Sequence, residues 1–225
     1  MSPNDSTPPA APGSPVAGAA LILSAVVAVA AVAHHPSVSR AASGADVLAQ
    51  IVRLSAVDET VHAVVIVAAC GLLFGLAAFA ARRGLRNAAV LSGLVAYAIG
   101  TVFAIGAALI DGFLIPAIAA RYATAPPARI DAALQLLTVC AMTIQIATKT
   151  WLLATSFAVL AWSAELIPHG RILRAIGAAG VVATAALLGV LAFTANVNPH
   201  SLGLIVVLQT IWYVAIGALM IRGEL

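Results

Sequence analysis

Two groups of residues in this chain stand where an apolar surrounding would make them costly. The first is centred on Lys149, the one lysine among 225 residues. Gln135, Thr138, Met142, Gln145, Lys149, Leu152 and Ser156 follow alternating steps of three and four, so they share one helix face. Five of the seven are polar, and the expected stripe faces the interior of a helix bundle. A lysine at the centre of a membrane span costs roughly 2.5–3.5 kcal/mol on insertion scales. It is therefore expected either to do chemistry or to be paired. Lys149, Gln145 and Ser156 could bind an anion or a carbonyl, or pass a proton; a snorkelling or internally paired lysine is the structural alternative.

The second group is His34, His35, Asp58, Glu59, His62, Asp111 and His200. Neutral imidazoles and carboxylates are the usual ligands of zinc, copper and non-haem iron, and two histidines from different helices can hold haem. His34, His35 and His62 are the candidate metal ligands. Asp58 and His62, four apart, share a helix face. Asp111 is followed by Gly112 and Pro116, so the helix is expected to loosen there. Asp111 is then a candidate ligand-binding residue or the partner of Arg121 or Arg129.

The elements that carry these residues are read from composition. Hydrophobic residues make up 63% of the chain and charged residues 8%, against about 25% charged in soluble domains. The mean hydropathy is +1.09. Continuous apolar runs predict an all-α integral membrane protein, because barrel strands would alternate. The formal charge of +3 sits in short loops, which excludes a nucleic-acid patch.

Six spans are expected, at about 16–33, 61–81, 88–115, 133–164, 172–193 and 200–221, forming a single domain in residues 16–222. Residues 1–15 read as a disordered tail, and 43–57 as an amphipathic helix in the interface, capped by Ser43 and Asp46. Pro116 ends or kinks the third span. Gly71 and Gly75 permit close helix packing. Cys70 and Cys140 read as small core residues.

Arg82, Arg83, Arg86, Arg171, Arg174 and Arg222 fall on one side of six spans. That side is the cytoplasmic one by the positive-inside rule, and both termini lie with it. Ala31-Val32-Ala33 resembles a signal-peptidase site, and cleavage there would leave five spans. The membrane expected is the plasma (inner) membrane, and the surplus of Arg over Lys fits a bacterial source.

Three function classes remain open. One is an accessory or assembly subunit, or a small-ligand-binding bundle, with a homo-oligomer or a partner membrane subunit. Another is a small transporter or channel using the Lys149 stripe. The third is a metal- or haem-binding redox protein using His34, His35, His62 and Asp111. No phosphate loop, nucleophile elbow or metalloprotease helix motif is present, so an enzyme is the less expected outcome.

Overall fold

The computed structural model describes residues 14–36, 43–193 and 199–225. The expected tail, 1–15, lies almost wholly outside them. Seven α-helices carry the fold: α1 Pro15–Ala33, α2 Gly44–Arg83, α3 Ala88–Leu109, α4 Ile115–Tyr122, α5 Pro127–Leu166, α6 Gly170–Phe193 and α7 Pro199–Arg222. A π-helical turn, Ile110–Leu114, joins α3 to α4. No strand occurs among the described residues, and six helices are long and apolar enough to cross a membrane.

Successive spans run antiparallel, with α3 and α4 counted as one, and create two chemically different ends. Pro15, Arg82, Arg83 and Arg222 gather at one, the arginine end; Arg82 reaches the Met220 carbonyl of α7 there. The end of α1, the turn at Asp111 and the start of α7 lie towards the other, the histidine end. Glycine lets the helices approach. A side chain at Gly71 would overlap Ser24, and one at Gly75 would meet Leu21 Cβ at 2.7 Å, so this pair seats α2 on α1. The core between them is aromatic. Trp162 and Trp212 stack with centroids 6.1 Å apart, and Phe79 meets each edge-on. Such pairs add about 0.5–1.5 kcal/mol each beyond burial.

Three expectations are corrected. The segment 43–57 is not a separate interfacial helix but the first part of the 40-residue α2. Nothing from Val57 to Val61 is Gly or Pro, so nothing stops the helix. The apolar face of that segment, Leu48 and Ile51, packs on Ala119 and Ala133 rather than on lipid. Its cap is as expected: Ser43 Oγ accepts from the Asp46 N–H at 3.2 Å and donates to its carboxylate at 2.7 Å.

Pro116 does not end the third span either. The Ile115 N–H donates five residues back to Ile110. This widened turn moves the carbonyl that a proline ring would strike, and the helix continues to Tyr122. The span is thus 35 residues, Ala88–Tyr122. At 1.5 Å per residue, it and the 40-residue α2 and α5 measure about 50–60 Å, well beyond a ~30 Å core. Their excess length forms a three-helix collar at the histidine end, built on Leu48, Ile51, Ala119 and Ala133.

Third, Cys70 is exposed and Cys140 half-buried, so neither fills the core.

Candidate metal centre

Four side chains from three stretches of the chain meet below the collar. His35 follows the end of α1, Asp58 and His62 lie one helical turn apart on α2, and Asp111 sits in the π turn. Asp111 Oδ2 is 3.4 Å from His35 Nε2 and 3.4 Å from His62 Nε2. The two imidazole rings are edge-on, with centroids 5.0 Å apart. One donor atom each of His35, Asp58 and His62 lie within 4.8 Å of one another. His62 and Asp58 are well buried, with side chains 7% and 14% exposed, while Asp111 and His35 are 31% and 36% exposed.

The local fold explains this convergence. The π turn swings Asp111 towards α2, and Gly112 beside it has no side chain, which is what admits His62: a methyl group at 112 would overlap the His62 ring. The tautomers follow from the backbone. His62 Nδ1 donates to the Asp58 carbonyl at 2.8 Å, and His35 Nδ1 donates to the Pro36 carbonyl at 2.8 Å. In each neutral ring Nε2 is then the lone-pair atom, and both lone pairs face Asp111. A carbonyl holding the far N–H is the usual outer support of a metal-bound histidine.

The distances bear on what fills the cluster. A charge-assisted N–H···O bond is about 2.7–2.9 Å. Two donors bound tetrahedrally at about 2.0–2.1 Å from one ion are about 3.4 Å apart. The two Asp111 contacts match the second length. Asp58 Oδ1 is buried and stands 3.1 Å from His62 Nδ1, but the His62 N–H points at the Asp58 carbonyl and leaves this oxygen without a well-aligned donor. Two carboxylates face two imidazoles here, and their charge is balanced by protons on the rings or by a bound cation. Without metal, a proton on His35 Nε2 is donated to Asp111, which holds the His35 imidazole above its ordinary value.

A cavity of about 880 Å³ opens beside the cluster, with His35, Asp58 and Asp111 in its wall. A smaller one of about 50 Å³, lined by Tyr97, Thr101, Gln209 and Tyr213, lies deeper; Val32 and Val206 line both.

The other candidates are placed as follows. His34 is exposed and bonds Ala30 of its own helix at 2.8 Å, so it does not join His35 and His62. Glu59 is exposed. The His200 side chain lies outside the described residues. Asp111 pairs with histidines, not with Arg121 or Arg129. On α5, Ser156 is fully buried and Lys149 and Gln145 are half-buried, but Gln135, Thr138 and Met142 are exposed. The expected stripe faces inward only over its second half.

Two polar groups escaped the sequence reading. Gln209 donates towards Thr155 at 3.4 Å and Ser156 at 3.5 Å and accepts from Tyr213 at 3.4 Å. As the one glutamine in the apolar α7, it signalled a buried partner. At the arginine end, Arg83 grips Glu165 through two bonds of 2.7 and 3.1 Å, and His169 reaches the same carboxylate at 3.0 Å. The chain matches no protein-family model, no curated protein and no solved structure.

Proposed function

We propose that this is a multi-pass membrane protein that binds one divalent transition-metal ion through His35, His62 and Asp111, with Asp58 supporting His62 from the Nδ1 side of its ring. The observation that carries the reading is the pair of 3.4 Å contacts from one Asp111 oxygen to two imidazole Nε2 atoms whose opposite nitrogens are held by carbonyls. Two nitrogens and carboxylate oxygens without thiolate favour Zn²⁺, Fe²⁺, Mn²⁺ or Cu²⁺ over Cu⁺ or an iron–sulfur cluster. Haem fits poorly. Its two axial ligands sit on opposite faces of a macrocycle, whereas both imidazoles here reach the same carboxylate oxygen.

The arginine distribution orients the protein in a bacterial plasma membrane with both termini cytoplasmic. The metal then lies at the outer surface, shielded by the collar. Lys149, Gln145 and Ser156 line neither of these two cavities. The test is calorimetric titration of the purified, metal-stripped protein with Zn²⁺. One equivalent should bind, and His62→Ala should abolish it while the variant keeps its helical circular-dichroism spectrum. Equal binding by both proteins would remove the reading.

A further inference from the structure

The large cavity has an uneven lining. His35, Asp58 and Asp111 occupy one corner, and the remaining wall is apolar, including Val29 and Val32 of α1, Ile51 and Leu54 of α2, and Leu137 of α5. At about 880 Å³ it falls inside the roughly 300–1,000 Å³ range of small-molecule sites. Protein interiors leave few voids of this size, and an apolar lining does not hold water.

Part of its lining on α5 and α7 is exposed. Ala141 is exposed there, and Leu204 and Val207 are 63% and 41% exposed. These residues lie in apolar helices that would face acyl chains, not solvent. An apolar chamber that opens sideways at that depth, with polar donors at one corner, matches a molecule with an apolar tail and one polar head.

We propose that the cavity binds a single-chain amphiphile, its tail against α1, α2, α5 and α7 and its anionic oxygen head, a carboxylate or a phosphate, at the His35–Asp111 corner. The head assignment rests on the metal reading. A divalent ion held by the two imidazoles and the Asp111 carboxylate, three protein ligands, keeps its fourth position for an exogenous oxygen, as open metal sites do. The tail assignment rests on the cavity alone.

The test uses the full chain in phosphatidylcholine nanodiscs, with photoactivatable palmitate as probe and unlabelled palmitate, lysophosphatidate or hexadecanol as competitors. Crosslinks are expected on residues 137–141 and 203–207. Gly203→Leu adds bulk to the chamber wall at a position where an added Cβ would meet only Val32 Cγ1, at 4.0 Å. It and Ala141→Trp should each cut crosslinking at least tenfold and leave Zn²⁺ titration unchanged.

Zn²⁺ should strengthen palmitate labelling several-fold in the parent protein and not in His62→Ala. Stronger competition by palmitate would identify a carboxylate head, and by lysophosphatidate a phosphate head; either supports the proposal. Equal competition by hexadecanol overturns the head assignment. Labelling that ignores both cavity substitutions overturns the proposal even if Zn²⁺ binds. Loss of Zn²⁺ binding with cavity-dependent labelling intact overturns the metal reading and the head assignment with it.

Discussion

Each end of this bundle carries a histidine–carboxylate cluster, and the two are finished differently. At the arginine end, Glu165 receives two bonds from Arg83 and one contact from His169, all at 3.1 Å or less. The fold supplies its own cation, and the pair ties α2 to α5. At the histidine end, two carboxylates meet two imidazoles at 3.1–3.4 Å, Asp58 Oδ1 has no well-aligned donor, and a cavity adjoins. Similar residue types thus make a closed structural pair in one place and an incomplete site in the other. What separates them is whether an arginine is built in to complete the charge.

The largest expected effect falls at the closed pair. Glu165→Ala leaves Arg83 buried without its partner and should cost about 3–5 kcal/mol of stability, read as a lowered thermal midpoint in detergent, with Zn²⁺ affinity at the far end unchanged. A loss of Zn²⁺ binding there, with the fold intact, would erase the contrast between the ends.

Gly112→Leu probes the open site through packing. Overpacking of this kind costs about 1–3 kcal/mol, and because the new side chain displaces His62, Zn²⁺ affinity should fall as well. Gly106→Leu, at a position with no neighbour within 4 Å of an added Cβ, is the control and should change neither.

Asp58→Asn keeps the carbonyl that holds His62 and removes one carboxylate charge. Zn²⁺ binding should weaken by about 10–100-fold, the range seen when a supporting group is lost. An unchanged Kd would leave Asp58 outside the site.

The smallest effect is a pH dependence, and it has opposite signs with and without metal. His35 titrates above its ordinary value of about 6.5 because Asp111 hydrogen-bonds it. In metal-free protein the stabilising contribution of that contact is complete below pH ~6.5 and fades as pH rises through the raised value. Zn²⁺ affinity should instead rise over the same interval, because the imidazole must shed its proton to coordinate. Both trends should flatten in His35→Gln, as read from thermal midpoints and Kd values between pH 6 and 9.

The legibility of the sequence differed between the same two regions. The six apolar helices follow from run lengths, and the loosened helix at Asp111 follows from Gly112 and Pro116. His35, His62 and Asp111 could be named because polar residues at span ends are few. Their convergence could not be read, since it depends on α2 continuing unbroken from Gly44 to Arg83 and on a π turn that rotates one side chain. The same missing information misplaced the first half of the Lys149 stripe. A helix longer than the hydrocarbon core turns its outer portion towards different neighbours, and periodicity alone does not record where that change occurs. The Arg83–Glu165 pair was hidden for another reason: the two residues are 82 positions apart, and only the parallel run of α2 and α5 brings them together.

The central claim is that His35, His62 and Asp111 hold one metal ion, with Asp58 supporting His62. Co²⁺ titration followed by visible spectroscopy tests it most directly, since cobalt reports both stoichiometry and coordination. Saturation at one equivalent, with ligand-field bands of a four-coordinate nitrogen–oxygen site that disappear in His62→Ala and persist in Glu165→Ala, is the predicted result. Featureless binding, or bands that survive His62→Ala, would contradict it.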